Sequence, residues 1–138
     1  MNKEVEYLQK KEINSYTKFI KDVFDYDIEE ENINKLIKNN IVLVIKNHDK
    51  IIASAILEER FDYIKSNKYY EVGYFGVLKE YRRMGYANIL FNKVEELIKE
   101  NDIKYLQIIS GNHRKAAHYF YQSKGFKIKD ATIFVKLY

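Results

Sequence analysis

Two arginines, a glycine and an alanine, in the run Arg82-Arg83-Met84-Gly85-Tyr86-Ala87, stand where the chain changes character. An apolar stretch from Tyr69 to Leu78 precedes them, and an amphipathic stretch from Tyr86 to Ile98 follows. That succession reads as strand, tight turn, helix. Such a turn can hold a phosphate, because the N–H groups at a helix N-terminus point outward and the helix dipole favours negative charge there. Gly85 lets the main chain approach a ligand and Ala87 keeps the first helical turn unobstructed. Arg82 and Arg83 add charge-assisted donors. On residue types alone, an ordinary strand–helix connection with a solvated basic pair is an equally good reading.

A second constellation lies near the C-terminus, Ala117-His118-Tyr119-Phe120-Tyr121-Gln122-Ser123-Lys124-Gly125-Phe126. Together the two stretches, over about Ile41 to Tyr138, resemble the Gcn5-related N-acetyltransferase (GNAT) superfamily. In that family Arg/Gln-x-x-Gly-x-Gly/Ala is the acyl-CoA pyrophosphate loop, and Phe-Tyr-x-x-x-Gly-Phe closes the last helix. The resemblance implies acetyl-CoA as co-substrate, held by Arg82, Arg83, Met84, Gly85, Tyr86 and Ala87. The backbone near Phe75 and Val77 would hold the pantetheine and the thioester oxygen. It implies Tyr121 as the general acid that protonates the leaving thiolate, a role that suits a phenol whose free pKa is near 10. A core aromatic on the last helix is the competing reading. Glu71, eleven residues before Arg82, sits where several members carry a base. Other members place a glutamate three residues further on, where this chain has Tyr74, so an outward, solvated Glu71 and a base are both open. Many members carry an asparagine seven residues before the acid. Here that place holds Arg114, and Asn112 either substitutes for it or caps the last helix. His118, one turn from Tyr121, is a further candidate base, although a histidine among aromatics is more often structural.

The elements that must position these residues follow from apolar periodicity. Val5 to Leu8 reads as a short strand. Glu12 to Phe24 and Ile28 to Asn39 read as helices with their apolar residues at helical spacing. Ile41 to Ile45 and Ile51 to Leu57 read as a hairpin about Asn47-His48-Asp49-Lys50, and Arg60 to Asn67 as a loop. A strand ends at Leu78, the helix from Tyr86 follows, and Lys104 to Ser110 is a strand parallel to the first through a right-handed crossover. Arg114 to Lys124 reads as the last helix, Gly125 as its left-handed C-cap, and Phe126 to Lys129 with Thr132 to Leu137 as a final antiparallel pair. The expected class is α/β, with a mixed α+β sheet. The order β-α-α-β-β-β-α-β-α-β-β and the resemblance imply a GNAT-like fold with a central mixed sheet of six to seven strands and helices on both faces.

Bulk properties bound the alternatives. At 138 residues the chain is expected to form a single acetyltransferase-like domain over 1–138. Its 46% hydrophobic and 32% charged residues are those of a globular protein. With no cysteine it can hold neither a disulfide framework nor a thiol nucleophile. His113 and His118 lack a third ligand, so no metal is expected. No leader and no apolar run of membrane-spanning length is visible, which makes a cytoplasmic protein without membrane contact the default expectation. The net charge of +4 is uneven, being −2 over residues 1–78 and +6 over residues 79–138. A nucleic-acid surface has similar asymmetry, but recognition signatures are missing and the first half is acidic, so no nucleic-acid partner is expected. The apolar edge Ile133-Phe134-Val135 would suit a homodimer.

The acceptor is expected to be a small-molecule amine. Residues 22–31 hold six acids and no base, and in the family the segment between the first two helices borders the acceptor cleft. Such a rim would steer a cation towards the cleft. Glu29, Glu30 and Glu31 have a simpler explanation as first-turn carboxylates that offset the helix dipole. The alternatives are acetylation of a protein N-terminus or lysine, and a regulatory domain that binds acyl-CoA without turnover.

Overall fold

Runs of β-branched and aliphatic residues too continuous for one buried face build the centre of the molecule. In β2 (Ile41–Asn47) and β3 (Lys50–Asp62), consecutive positions are buried, Val42 to Ile45 and Ile51 to Ala55, so both sheet faces are covered. The computed structural model describes residues 4–138. These fall into two compact units, the first ending at Ile108 and the second spanning Ile109–Tyr138.

The first unit is a five-stranded sheet in the order β1-β2-β3-β4-β5, with β1 at Val5–Tyr7, β4 at Asn67–Val77 and β5 at Tyr105–Ile108. Neighbours are antiparallel except β4 and β5, which run parallel around α3 (Tyr86–Glu100). Helix α1 (Ile13–Phe24) packs on β3 and β4, α2 (Glu30–Asn39) on β2, and α3 across β1 to β4. The apolar stripe of each helix enters the core. Tyr16, Phe19 and Ile20 do so from α1, Ile33 from α2, and Leu90, Phe91, Val94 and Leu97 from α3.

Two details of β4 position the site. A register shift sets Ser54 opposite Gly76 but Ile56 opposite Gly73, so Tyr74 and Phe75 face the single residue Ala55. This is a β-bulge, with Tyr74 at φ 48. At Gly76 a Cβ would lie 2.8 Å from Phe24 Cζ and 2.9 Å from Val23 Cγ1, so the end of α1 rests on bare backbone there.

The second unit holds α4 (Lys115–Ser123). The expected strands Phe126–Lys129 and Thr132–Leu137 are not formed, so the sheet has five strands rather than six to seven. Ile128, Phe134 and Leu137 are 81%, 91% and 89% exposed. A two-stranded pair is marginal without a face to bury, and this unit by itself supplies only α4 as a packing partner. The edge on which a homodimer was expected is therefore not a strand. The expected loop at Arg60 to Asn67 shrinks to the turn 63–66, because β3 and β4 pair out to Asp62 and Asn67. Asp62 closes the tip by accepting the N–H groups of Ile64 and Lys65 at 3.0 and 3.1 Å.

Candidate active site

The β4–β5 ladder is short. It runs from Tyr69↔Tyr105 to Val72↔Ile108, whereas β4 continues to Val77. Phe75 and Val77, the two positions expected to hold a pantetheine arm, both lie on this continuation. Arg82 reaches back to it, and its Nε donates to the Val77 carbonyl at 3.0 Å. Arg82 thus fastens the turn to the end of β4, a structural commitment that residue type alone did not reveal.

From β4 the chain passes through a 3-10 turn, Lys79–Tyr81, into the phosphate-loop candidate. Arg83 and Gly85 both have positive φ, 62 and 87. Gly85 is the N-cap of α3, and no side chain caps the helix. The first amides of a helix have no acceptor within it, so this end presents N–H groups that a ligand can take. A Cβ on Gly85 would meet no protein atom within 4 Å. Arg82, Arg83 and Met84 are exposed, Ala87 half-buried, and Tyr86 is buried edge-to-face against Tyr81 at 6.2 Å. The Tyr81 hydroxyl accepts Asn47 Nδ2 at 3.0 Å, which ties the turn to the β2–β3 hairpin. Open space, a left-handed glycine and an uncapped helix start fit the pyrophosphate of acetyl-CoA.

Glu71 lies on the paired part of β4, half-buried, opposite Glu58 on β3 and Gln107 on β5. Its Oε2 accepts Gln107 Nε2 at 3.0 Å. It is therefore not the freely solvated strand glutamate of the competing reading. Two rungs earlier Tyr69 stacks on Tyr105, with ring centroids 4.5 Å apart. Sequence reasoning missed Gln107. The available signal was a lone polar residue in the run Tyr105 to Ile109, matching a lone carboxylate in the strand parallel to it.

The loop between α1 and α2 also meets β4. Phe24 and Tyr26 contact Tyr74 edge-to-face at 5.2 and 6.4 Å. Tyr26 and Tyr74 stay 60% and 50% exposed. Of the six acids, Asp25 and Asp27 flank Tyr26, and Lys21 pairs with both, at 3.2 and 3.6 Å. Glu30 and Glu31 occupy the first turn of α2, as the dipole explanation requires.

In the second unit, the end of α4 forms a Schellman motif. The Phe126 N–H donates to the Tyr121 carbonyl and the Gly125 N–H to the Gln122 carbonyl, both at 3.1 Å, with Gly125 at φ 92. The Phe126 ring packs on Tyr121, centroids 5.6 Å apart. The glycine and phenylalanine that follow Tyr121 therefore fix the end of α4 from which the phenol projects. Burial raises the Tyr121 phenol above its ordinary pKa, and the charge of Arg114 partly opposes this. Arg114, not Asn112, is the N-cap of α4, and Asn112 is exposed ahead of it. Arg114 holds the cap position through its carbonyl, which accepts the first helical bond, while its own N–H donates to the Gly111 carbonyl at 3.0 Å. His118 is half-buried, with its N–H on the Arg114 carbonyl at 3.1 Å. Among the described residues no group of three or more His, Asp or Glu could hold a metal ion, and no helix is long and apolar enough to cross a membrane.

The acetyltransferase (GNAT) family model matches residues 6–126. The chain belongs to the GNAT acetyltransferase family. Solved GNAT-like structures agree in fold across nearly the whole length. An aminoglycoside antibiotic 6'-N-acetyltransferase from Acinetobacter baumannii has TM-score 0.82 at 18% identity, covering 98% of this chain and 97% of its own. A ribosomal-protein-alanine N-acetyltransferase from Brucella melitensis biovar Abortus has TM-score 0.82 at 11% identity, covering 98% and 99%. A protein described as a transcriptional regulator from Bacillus halodurans has TM-score 0.85 at 15% identity, covering 97% and 99%. At such identities the likeness is one of fold, and three differently described proteins on one fold leave the acceptor to be argued from the site. No curated protein sequence matches this chain.

Proposed function

We propose that residues 1–138 act as one acetyltransferase domain that moves an acetyl group from acetyl-CoA to a primary amine, a small cationic one, by direct transfer in a ternary complex. The observation that carries this is the end of β4. The ladder to β5 stops at Val72, β4 runs on to Val77, and the turn beyond delivers Gly85 to an uncapped helix.

Acetyl-CoA, when bound, supplies an activated thioester. The chain's own residues bind, orient and move protons. The first amides of α3, behind Gly85, hold phosphate, and Arg83 adds screened positive charge. The main chain near Phe75 and Val77 aligns the pantetheine arm, with Arg82 keeping that end of β4 in place. Glu71 takes the proton of the attacking amine and Tyr121 gives one to the leaving sulfur, so the enzyme ends each cycle one proton-transfer step from its starting state. A phenol raised by burial is fully protonated at neutral pH, which suits a donor. The exposed Tyr26–Tyr74 pair with Asp25 and Asp27 supports a cationic acceptor, since ring faces and carboxylates both attract an ammonium group.

Calorimetry with acetyl-CoA tests the first half of this reading and thiol release against an amine panel the second. Binding should raise thermal stability by about 2.7 kcal/mol at a ligand concentration 100 times Kd. Absence of binding at millimolar acetyl-CoA would sink the reading. Binding without thiol release from any amine would favour the regulatory alternative.

A further inference from the structure

The hydrogen bond between Gln107 and Glu71 joins two strands at the last rungs before their ladder ends. We infer that Gln107 is a positioning residue: it holds the Glu71 carboxylate by Oε2 and leaves Oε1 to take the proton of the acceptor amine. This rests on the proposed role of Glu71 as base.

The surroundings of Glu71 explain why it needs holding. Glu58 on β3 lies directly opposite, and like charges at opposed positions repel. Arg60, two residues on, donates to Glu58 Oε1 at 3.2 Å and also feels the Glu71 charge. On the β5 side stand Gln107, opposite Glu71, and Tyr105, opposite Tyr69 of β4 itself. The Glu71 side chain therefore has a charged neighbourhood on the β3 side and a neutral one on the β5 side. Gln107 draws it to the neutral side.

The chemistry of the donor matters as well. An amide donates a hydrogen bond and carries no charge, so it orients the carboxylate without neutralising it. A lysine or arginine at 107 would form an ion pair and make the carboxylate a poorer proton acceptor. The stacked pair Tyr69–Tyr105, two rungs earlier on the same face, stiffens the ladder on which Gln107 sits. A purely structural cross-strand pair would be served equally well by two apolar side chains in an otherwise apolar strand.

The test compares Gln107→Leu, Gln107→Lys and Glu71→Gln with their double variant. Thiol release is measured with the fastest amine among spermidine, kanamycin and an alanine-terminated peptide. If none is acetylated, slow acetyl-CoA hydrolysis gives the same comparison with water as acceptor. Gln107→Leu should lower kcat roughly 10- to 100-fold, a part of the 10²–10⁴ usual for general acid–base catalysis. Acetyl-CoA affinity should be unchanged, and the acidic limb of the pH profile should move to higher pH, because the charged form has lost a donor. Gln107→Lys should move that limb to lower pH. Adding Gln107→Leu to Glu71→Gln should cost nothing further, since the two act as a unit. Wild-type kcat and pH profile in Gln107→Leu, or full additivity in the double variant, would overturn the inference while leaving Glu71 as base. Wild-type turnover in Glu71→Gln would remove the base itself and the inference with it.

Discussion

Gly85 and Gly125 share a conformation and differ in what surrounds it. Both lie in the left-handed region, at φ 87 and 92, and at both a Cβ would meet no protein atom within 4 Å. Gly125 ends a helix, and the protein uses the amides around it: its own N–H and that of Phe126 bond to carbonyls of α4. Gly85 begins a helix, and no side chain caps the amides that follow. A left-handed glycine thus sits among satisfied amides in one place and ahead of amides that no side chain caps in the other. Open space does not separate the two cases; the ownership of the neighbouring backbone groups does.

Substituting the two glycines tests that contrast directly. Gly85→Val should reduce acetyl-CoA affinity about 100-fold or more, equivalent to about 2.7 kcal/mol, because a branched side chain stands where phosphate must approach main chain. Gly85→Ala, read by thermal melting, controls for the backbone strain of roughly 1–2 kcal/mol that any side chain meets at this φ. Wild-type affinity in folded Gly85→Val would show that the phosphate loop is misplaced. Arg82→Ala and Arg83→Ala should weaken binding less. The Arg83 effect should fade with salt, whereas Arg82→Ala should also loosen the end of β4.

The end of α4 separates ring from phenol. Tyr121→Phe keeps the packing on Phe126 and should leave stability and acetyl-CoA affinity alone while lowering turnover roughly 10- to 1000-fold. Unchanged turnover would make Tyr121 as structural as Gly125. The pH profile carries a sign. Burial raises the phenol and Arg114 opposes it, so the donor is lost only above the ordinary phenol range near 10. Arg114→Gln removes the opposing charge and should move that alkaline limb higher still. An alkaline limb below pH 9 that vanishes in Tyr121→Phe would break this assignment.

Gly125→Ala should then cost about 1 kcal/mol, a few degrees in Tm, with acetyl-CoA affinity untouched. A fall in turnover beyond that of the small loss of stability would show that the Schellman motif serves the phenol as well as the helix.

How far these sites could be read in the sequence depended on whether their partners were local. The helices were legible because apolar residues repeat at 3.6 along them, and the β2–β3 hairpin because two β-branched apolar runs flank a polar turn. The tight turn at Gly85 and the C-cap at Gly125 were legible because glycine marks a backbone conformation by itself. The bulge at Tyr74 and the close approach at Gly76 were not, because α1 decides them from 50 residues away. The Arg60 end of β3 read as a loop because Glu58 to Asp62 hold four charges and a single apolar residue, the exposed Phe61. The bond from Gln107 to Glu71 was invisible for the same reason as the contact at Gly76: the partner is 36 residues distant. At the C-terminus the error ran the other way. The apolar run Ile133-Phe134-Val135 gave a strand pattern, but a pattern names no partner.

The smallest expected effect concerns the acceptor. Asp25 and Asp27 lie on the α1–α2 loop beside the exposed Tyr26–Tyr74 pair. Asp25→Asn with Asp27→Asn should raise KM for spermidine a few-fold and leave acetyl-CoA affinity alone. The effect is small because both carboxylates are exposed and already share Lys21, and exposed pairs are worth little in water. That pairing also supplies the sharper variant. Lys21→Gln removes the competing cation, so KM for spermidine should fall, and the fall should shrink at high salt, where charges are screened beyond about 8–10 Å. Reading the two variants together distinguishes steering from folding. If the acids attract the amine, the double asparagine variant and Lys21→Gln move KM in opposite directions. If they only hold the loop, both variants lower Tm and neither moves KM, and the acidic segment joins Gly125 among the devices that serve the fold.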